Sequence, residues 1–132
     1  VEGVKYGIAV CYDLRFASLF HLYAAKGVHG VFVPSAWPKS RGRHWELFIK
    51  ARAAENQMYV IGVNTAGTNP VDLYAGGSMT ADPDGLIIAR AGGGDELLFS
   101  EVDPAKVEDA RSRFPVIKDH RTELYHRLHQ RE

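Results

Sequence analysis

The stretch "VKYGIAVCYDLRFASLFHLYAAKGVHGVFVP", residues 4–34, decides the fold of this chain. It opens with a short apolar and β-branched run, residues 4–10, which predicts a buried strand. Residues 16–26 then carry apolar side chains at helical spacing and end at Gly27, a residue that often stops a helix. A second apolar run follows at residues 31–33. Strand, helix and strand form a βαβ unit, so the pattern predicts two parallel strands joined by a right-handed crossover.

The alternation of strand and helix continues to residue 63, and an antiparallel hairpin is predicted after it. Residues 43–56 predict the clearest helix, with apolar side chains at helical spacing, and residues 58–63 predict a third strand. Residues 77–81 and 86–89 flank the turn "DPDG" and predict an antiparallel hairpin. A further strand is expected at residues 97–102. Together these segments predict an α/β chain.

The last third of the chain predicts helices. Residues 105–111 should form a short helix, because Asp103 is a good N-cap and Pro104 suits the first helical position. The charged tail, residues 119–131, is expected to be helical or extended. Repeats, linkers and low-complexity segments are absent from the sequence, so we expect one domain over residues 1–132.

Composition excludes several classes of partner. The 132 residues include 16 basic and 16 acidic side chains, so no overall field favours nucleic acid or an anionic membrane. Apolar runs stay far shorter than the about 20 residues that a membrane helix needs. The single cysteine cannot form an internal disulfide, which suits a reducing cytoplasm. We therefore expect a cytoplasmic protein that binds neither nucleic acid nor membrane.

Cys11 is the strongest candidate for chemistry. It lies at the predicted carboxyl end of a strand, directly before a helix, and active sites of α/β sheets gather at such ends. Backbone N–H groups at the start of a helix can favour a thiolate and later an oxyanion. Alternatively, Cys11 is a buried small hydrophobe, as free cysteines often are.

Partners for a nucleophilic thiol are less clear from the sequence. A cysteine nucleophile needs a base, and His44 at the start of the second helix is a candidate for a papain-like pair. Asp13 could cap the first helix or pair with Arg15, and Trp37 could line a pocket or pack a loop. The histidines of the tail lack the pattern that would complete a site, so we expect no metal and no other cofactor.

Five segments, in this order, resemble the nitrilase superfamily of carbon–nitrogen hydrolases, and more narrowly its ω-amidase-like branch. The resemblance runs nearly end to end, with one departure at Ala17, where relatives usually have proline. The segments are "CYDLRF" (11–16), "VFVPSAWP" (31–38), "HWELFIKARAAENQMYVIGVN" (44–64), "GGSMTADPDG" (76–85) and "FPVIKDHRTELY" (114–125).

The resemblance implies a fold and a reaction. The fold would be part of an α-β-β-α sandwich, with two sheets between outer helices. Cys11 would attack the carbon of a small carboxamide, ammonia would leave, and water would hydrolyse the resulting thioester. The backbone N–H of Tyr12 would hold the oxyanion, while Ala36 and Trp37 would border the substrate.

Other residues of the matching segments have less certain roles. Arg15 would bind a substrate carboxylate or only pair with Asp13. The resemblance places Arg52, Glu55 and Asn56 on a helix whose polar residues support the fold and the dimer. It also implies a homodimer or a higher homo-oligomer in the complete protein.

The resemblance also exposes a deficit. Family members use a glutamate as general base and a lysine at the oxyanion, both tens of residues before the cysteine, and Glu2 and Lys5 lie too close to Cys11 for these roles. We therefore expect the chain to be the C-terminal half of such an enzyme, truncated at its N-terminus and inactive alone, with unpaired edges and exposed apolar surface. The alternative is a catalytically dead binding or assembly module of the same fold.

Overall fold

The computed structural model describes residues 3–130, which form a mixed α/β fold. The strands are β1 (Tyr6–Ile8), β2 (Gly30–Ser35), β3 (Tyr59–Asn64), β4 (Ala66–Thr68), β5 (Leu73–Ala75), β6 (Met79–Ala81) and β7 (Ile87–Arg90). The α-helices are α1 (Ala17–Ala25), α2 (Gly42–Asn56), α3 (Pro104–Arg113), α4 (Val116–Asp119) and α5 (Thr122–His129). Two 3₁₀ helices, Cys11–Arg15 and Lys39–Arg41, precede α1 and α2.

The main sheet has the strand order β1-β2-β3-β6-β7. β1, β2 and β3 run parallel, and α1 and α2 make the two crossovers between them. β6 and β7 pair antiparallel around the "DPDG" turn, where Gly85 has a φ of +78°. The predictions of parallel βαβ units and of this hairpin are therefore confirmed. The sequence did not predict β4 and β5, which form a separate antiparallel pair.

One face of the main sheet carries the core. Its strands bury Val31, Val33 and Val60 completely. Phe20 of α1 and Ile49 of α2 pack against them, and both are also fully buried. The helices meet the sheet because their apolar side chains recur at helical spacing on one side. The βαβ segments thus supply most of the core.

The opposite face of the sheet stays open among the described residues. Ile8 and Phe32 are neighbours in the register of β1 and β2, and 64% and 40% of their surface is exposed. Val63 of β3 is exposed as well. The prediction of a buried strand over residues 4–10 is therefore wrong for this face, and β1 is shorter than predicted. Exposed apolar surface of this kind was expected for the chain by itself.

The strand predicted at residues 97–102 is wrong. The structure assigns no strand there, and Leu97 and Phe99 are each 84% exposed. Two hydrogen bonds hold the segment and its end: one joins the hydroxyls of Ser100 and Thr80, and the other runs from the N–H of Asp103 to the hydroxyl of Tyr59. A segment with alternating apolar residues does not form a strand when no neighbouring strand pairs with its backbone.

The predicted helices of the last third are confirmed. Asp103 Oδ1 accepts a hydrogen bond of 2.8 Å from the N–H of Ala105, and Pro104 begins α3. The tail forms α4 and α5, although Arg131, the last residue of the predicted segment, lies outside the described residues. Within residues 3–130, every helix is too short or too polar to span a bilayer.

Helix α2 approaches the sheet most closely at Gly62 of β3. A Cβ atom there would lie 2.4 Å from Ile49 Cδ1 and 2.6 Å from Trp45 Cζ2, both side chains of α2. Contacts this short cannot exist, so the two side chains or the helix that carries them would have to shift. Glycine at this position therefore allows α2 to pack this closely on the sheet.

Gly62→Ala is expected to lower the free energy of unfolding by about 1 to 3 kcal/mol, because it overpacks the contact between α2 and β3. Urea denaturation of the purified protein measures the change. Gly94→Ala is the matched control, since a Cβ there meets nothing within 4 Å. Equal stability of the two variants would contradict this account of the helix position.

Candidate active site

Cys11 begins the 3₁₀ helix that follows β1, and its backbone is unusual. Its φ is +45°, in the left-handed region that costs a non-glycine residue about 1 to 2 kcal/mol. Backbone strain of this kind is concentrated at functional sites, where it aims a side chain. The side chain is half-buried and packs against the core, so the thiol is not sealed in the interior. The prediction that Cys11 stands at the carboxyl end of a strand, before a helix, is confirmed.

Asp13 fixes the start of this turn. Its Oδ2 accepts a hydrogen bond of 2.9 Å from the N–H of Val10, and its own N–H donates to the Val10 carbonyl at 2.9 Å. Asp13 and Arg15 form no ion pair in the described part of the chain, so capping is the role that the contacts support. Tyr12 is the second residue of the short helix, where an N–H lacks an intrahelical acceptor.

Arg15 ends the same 3₁₀ helix and lies among aromatic rings. Its guanidinium carbon is 4.7 Å from the ring centroid of Trp37, 5.5 Å from that of Phe48 and 5.6 Å from that of Tyr12. Such contacts stabilise a cation without neutralising it. Arg15 forms no ion pair with any carboxylate of residues 3–130. The site therefore holds a positive charge that a bound anion could pair with.

Trp37 packs the loop after β2 and also supports Arg15. Its side chain is only 3% exposed, and its Nε1 donates to the Arg41 carbonyl at 2.8 Å. Asn64, the last residue of β3, accepts a hydrogen bond of 2.7 Å from the Trp37 N–H. Ala36, directly before it, is exposed. The buried indole faces Arg15, so a pocket wall formed by Trp37 stays a prediction.

Arg52 of α2 reaches the Cys11 turn, a contact that the sequence analysis missed. The buried side chain donates from Nε to the Leu14 carbonyl and from Nη2 to the Arg15 carbonyl, both at 3.1 Å. One sequence signal was available, because Arg52 lies at helical spacing from Trp45 and Ile49 on the buried side of α2. A cation within an apolar stripe requires buried acceptors.

Among the described residues, no candidate base forms a hydrogen bond with the Cys11 thiol. His44 is exposed and its ring packs on Phe48 at 5.8 Å between centroids, without a hydrogen bond to Cys11. Lys5 precedes β1 and its N–H donates to His29 Nδ1, whereas Cys11 follows the other end of that strand. Glu2 lies outside the described residues. Within residues 3–130, no three His, Cys, Asp or Glu side chains are placed to hold a metal ion.

A cleft of about 690 Å³ lies between α1, α2 and the C-terminal helices, and neither Cys11 nor Trp37 lines it. The rings of His21 and His120 stack inside it at 3.5 Å between centroids. Burial, and then the nearby His120, lower the pKa of His21 below its usual value, while Glu55 acts in the opposite direction. The folded protein therefore favours neutral His21.

Acidification should destabilise the protein through His21. Because the folded state lowers its pKa, the free energy of unfolding falls as the pH drops below the ordinary value of 6.5 toward the lowered one. In urea denaturation between about pH 8 and about pH 5, His21→Gln should lose less stability than the wild type. His44→Gln, an exposed control, should follow the wild type. Parallel pH profiles of His21→Gln and wild type would refute this assignment.

Comparisons with known proteins place these observations in a family. Residues 1–112 match the family described as carbon-nitrogen hydrolase. The 2-oxoglutaramate amidase of Bacillus subtilis is 35% identical over 125 residues, which are 95% of this chain and 48% of that protein. The omega-amidase NIT3 of Saccharomyces cerevisiae is 38% identical over 123 residues, 92% of this chain and 42% of that protein.

Solved structures agree with the fold. The crystal structure of Saccharomyces cerevisiae Nit3, a member of branch 10 of the nitrilase superfamily, aligns with a TM-score of 0.81 at 37% identity, over 88% of this chain and 44% of that one. A mutant amidase from Nesterenkonia sp. AN1 aligns with a TM-score of 0.82 at 26% identity, over 96% of this chain and 45% of that one. That structure shows covalent addition of the acetamide moiety of fluoroacetamide at the active site cysteine.

The chain spans about half the length of the curated relatives it matches. The expectation that it corresponds to their C-terminal half is not supported by these alignments, in which it accounts for 48% and 42% of the two relatives. Its fold matches that of nitrilase-superfamily carbon–nitrogen hydrolases. The chain therefore belongs to the carbon–nitrogen hydrolase family.

Proposed function

We propose that this chain carries the nucleophile of an amidase that hydrolyses a small carboxamide and releases ammonia. The observation that carries the proposal is the strained, half-buried Cys11 at the end of β1, beside an arginine without a carboxylate partner among the described residues. Relatives described as amidases and omega-amidases support the reaction class. The covalent adduct at the cysteine of the Nesterenkonia amidase supports the nucleophile.

The proposed reaction has two halves. The Cys11 thiolate attacks the amide carbonyl carbon, and the nitrogen takes up a proton and leaves as ammonia, so that a thioester remains. Water then attacks the thioester carbon, the acid is released and the thiol is restored. The N–H of Tyr12 donates to the oxyanion of each tetrahedral intermediate, because it lacks an intrahelical acceptor.

The substrate end of the proposed site lies beside Arg15. A carboxylate on the substrate would pair with its guanidinium, whose face is already covered by the Trp37 ring. Ala36 is exposed next to Trp37, and together they border the substrate. Small amides that carry a carboxylate are therefore the proposed substrate class.

The proposal requires groups that the described residues do not place at the thiol. A general base and an oxyanion-binding lysine each supply about 10²- to 10⁴-fold in rate, and the resemblance assigns both to members of the family. The 132-residue chain by itself is therefore proposed to be inactive. The complete enzyme is proposed to act as a cytoplasmic homodimer or higher homo-oligomer.

A second candidate function is a catalytically dead binding or assembly module of the same fold. It is favoured by the Cys11 thiol, which forms no hydrogen bond with a candidate base within residues 3–130. The two candidates differ in one measurement, the release of ammonia by the full-length protein from a panel of small amides. No release from any amide would leave the module as the better account.

Cys11→Ala should abolish acylation of the full-length enzyme, because the thiol supplies the bonding sulfur. Mass spectrometry of enzyme quenched during turnover should show an acyl adduct on the wild type and none on the variant. The variant's thermal melt must match that of the wild type, since alanine meets the same left-handed strain. An acyl adduct on the folded variant would disprove the assignment of the nucleophile.

Arg15→Gln should raise KM for amides that carry a carboxylate by about 10- to 100-fold, the loss expected for one charged hydrogen bond. Neutral amides of similar size should show little change, which separates binding of the carboxylate from damage to the turn. Arg43→Gln, an exposed arginine of α2, is the matched control. Equal losses on both kinds of amide would count against a carboxylate site.

A further inference from the structure

We infer that Arg52 is the positioning residue that holds the Cys11–Arg15 turn in the shape needed for attack, an inference that rests on the proposed function. The resemblance assigned this residue only to support of the fold and the dimer. Its contacts are more specific, because its guanidinium binds the carboxyl end of the turn that begins with the nucleophile.

Arg52 binds two carbonyls at the end of the Cys11–Arg15 turn. Leu14 and Arg15 are the last two residues of the 3₁₀ helix, where carbonyl oxygens lack intrahelical donors. Leu14 is fully buried, so water cannot easily replace a lost donor. Nε and Nη2 of Arg52 satisfy these two carbonyls, each at 3.1 Å. Removing the guanidinium would leave the buried Leu14 carbonyl and the part-buried Arg15 carbonyl without these donors, and the end of the turn unattached.

The guanidinium is itself held rigidly. Its Nη1 donates to Glu55 Oε1 at 3.0 Å, and Asn56 Nδ2 donates to the same oxygen at 3.3 Å and to the Arg52 carbonyl at 2.9 Å. The rings of Phe20 and Phe48 lie 5.8 Å and 5.3 Å from its central carbon. All of these groups except Phe20 belong to α2, so the helix holds the planar guanidinium, with its N–H donors, in one orientation toward the turn.

Cys11 has a strained, left-handed backbone. A left-handed cysteine persists only when its surroundings hold it there. Asp13 anchors the amino end of the turn through Val10, and Arg52 anchors the carboxyl end. With one end released, the backbone can relax and the thiol loses its direction. A displacement of about 1 Å costs about 10²-fold in rate.

The same contact orients the proposed carboxylate-binding arginine. Arg52 binds the carbonyl of Arg15, and Phe48 packs against both guanidinium groups, 5.3 Å from the carbon of one and 5.5 Å from that of the other. Arg52 therefore sets the backbone from which the Arg15 side chain extends over Trp37. Its hydrogen bonds go to backbone carbonyls of the turn and to Glu55, and none goes to the Cys11 thiol or to the Arg15 guanidinium.

The test replaces the planar guanidinium of Arg52 by the ammonium group of lysine. Arg52→Lys keeps the charge but cannot donate to both carbonyls and to Glu55 in one plane. Hydrogen exchange by mass spectrometry of the full-length protein should show amides of residues 11–15 exchanging at least about 10-fold faster, while β3 stays unchanged. kcat on a neutral amide should fall by about 10- to 100-fold with KM nearly constant. Arg43→Lys, on the same helix, should change neither quantity.

The outcomes separate this inference from the proposed function. Unchanged exchange at residues 11–15 in Arg52→Lys overturns the inference, whatever the activity. Acceleration that extends equally to β3 also overturns it, because Arg52 would then only stabilise the fold. If the wild type hydrolyses no amide but the local acceleration is present, the turn is held as inferred and the proposed function fails. Should Arg52→Lys not fold, Glu55→Ala removes the anchor of Nη1 and should give a smaller acceleration confined to the same residues.

Discussion

The close approach of α2 to the sheet at Gly62 is the constraint on which the rest of the structure depends. Without a side chain at that position, Ile49 and Trp45 pack directly onto the backbone of β3. The helix then lies near enough to the 3₁₀ helix for Arg52 to reach two of its carbonyls. It also brings Phe48 beneath the guanidinium of Arg15. The position of the Cys11–Arg15 turn relative to α2 therefore depends on a contact made from the same buried side of the helix that carries Arg52.

Local sequence signals predicted those parts of the fold in which propensity, pattern and capping agree. The βαβ units combine apolar runs with helical periodicity, and Asp103 with Pro104 marks the start of α3. The failures are segments whose state depends on a neighbour. Residues 97–102 have strand-like alternation but no partner strand in the described structure, and β4 and β5 are three-residue strands that pair only with each other. Such pairing cannot be read from one segment alone.

In the candidate site, too, the sequence predicted some features, whereas others depend on contacts with distant residues. The place of Cys11, between a strand and a helix, followed from the order of elements along the chain. Its left-handed backbone did not, because φ in a tight turn depends on how both ends are held, here by Asp13 and Arg52. The sequence could not decide whether Arg15 pairs with Asp13 or binds a substrate carboxylate, because that choice also depends on side-chain directions. Residues two positions apart in a 3₁₀ helix point in different directions, and only the structure shows that Asp13 turns back to the N–H of Val10.

Arg52 and Arg15 contact the same ring, that of Phe48, but they differ in how far neighbouring groups neutralise their charge. The charge of Arg52 is opposed by Glu55 and its donors are occupied by backbone carbonyls, so little of its field is available to a ligand. Arg15 is half-buried among aromatic rings that add no counter-charge. A carboxylate about 4 Å from it would gain about 1 to 4 kcal/mol, depending on how much water remains. Arg52 thus holds the backbone of the turn, whereas Arg15 has no carboxylate partner among the described residues and is proposed to bind that of a substrate.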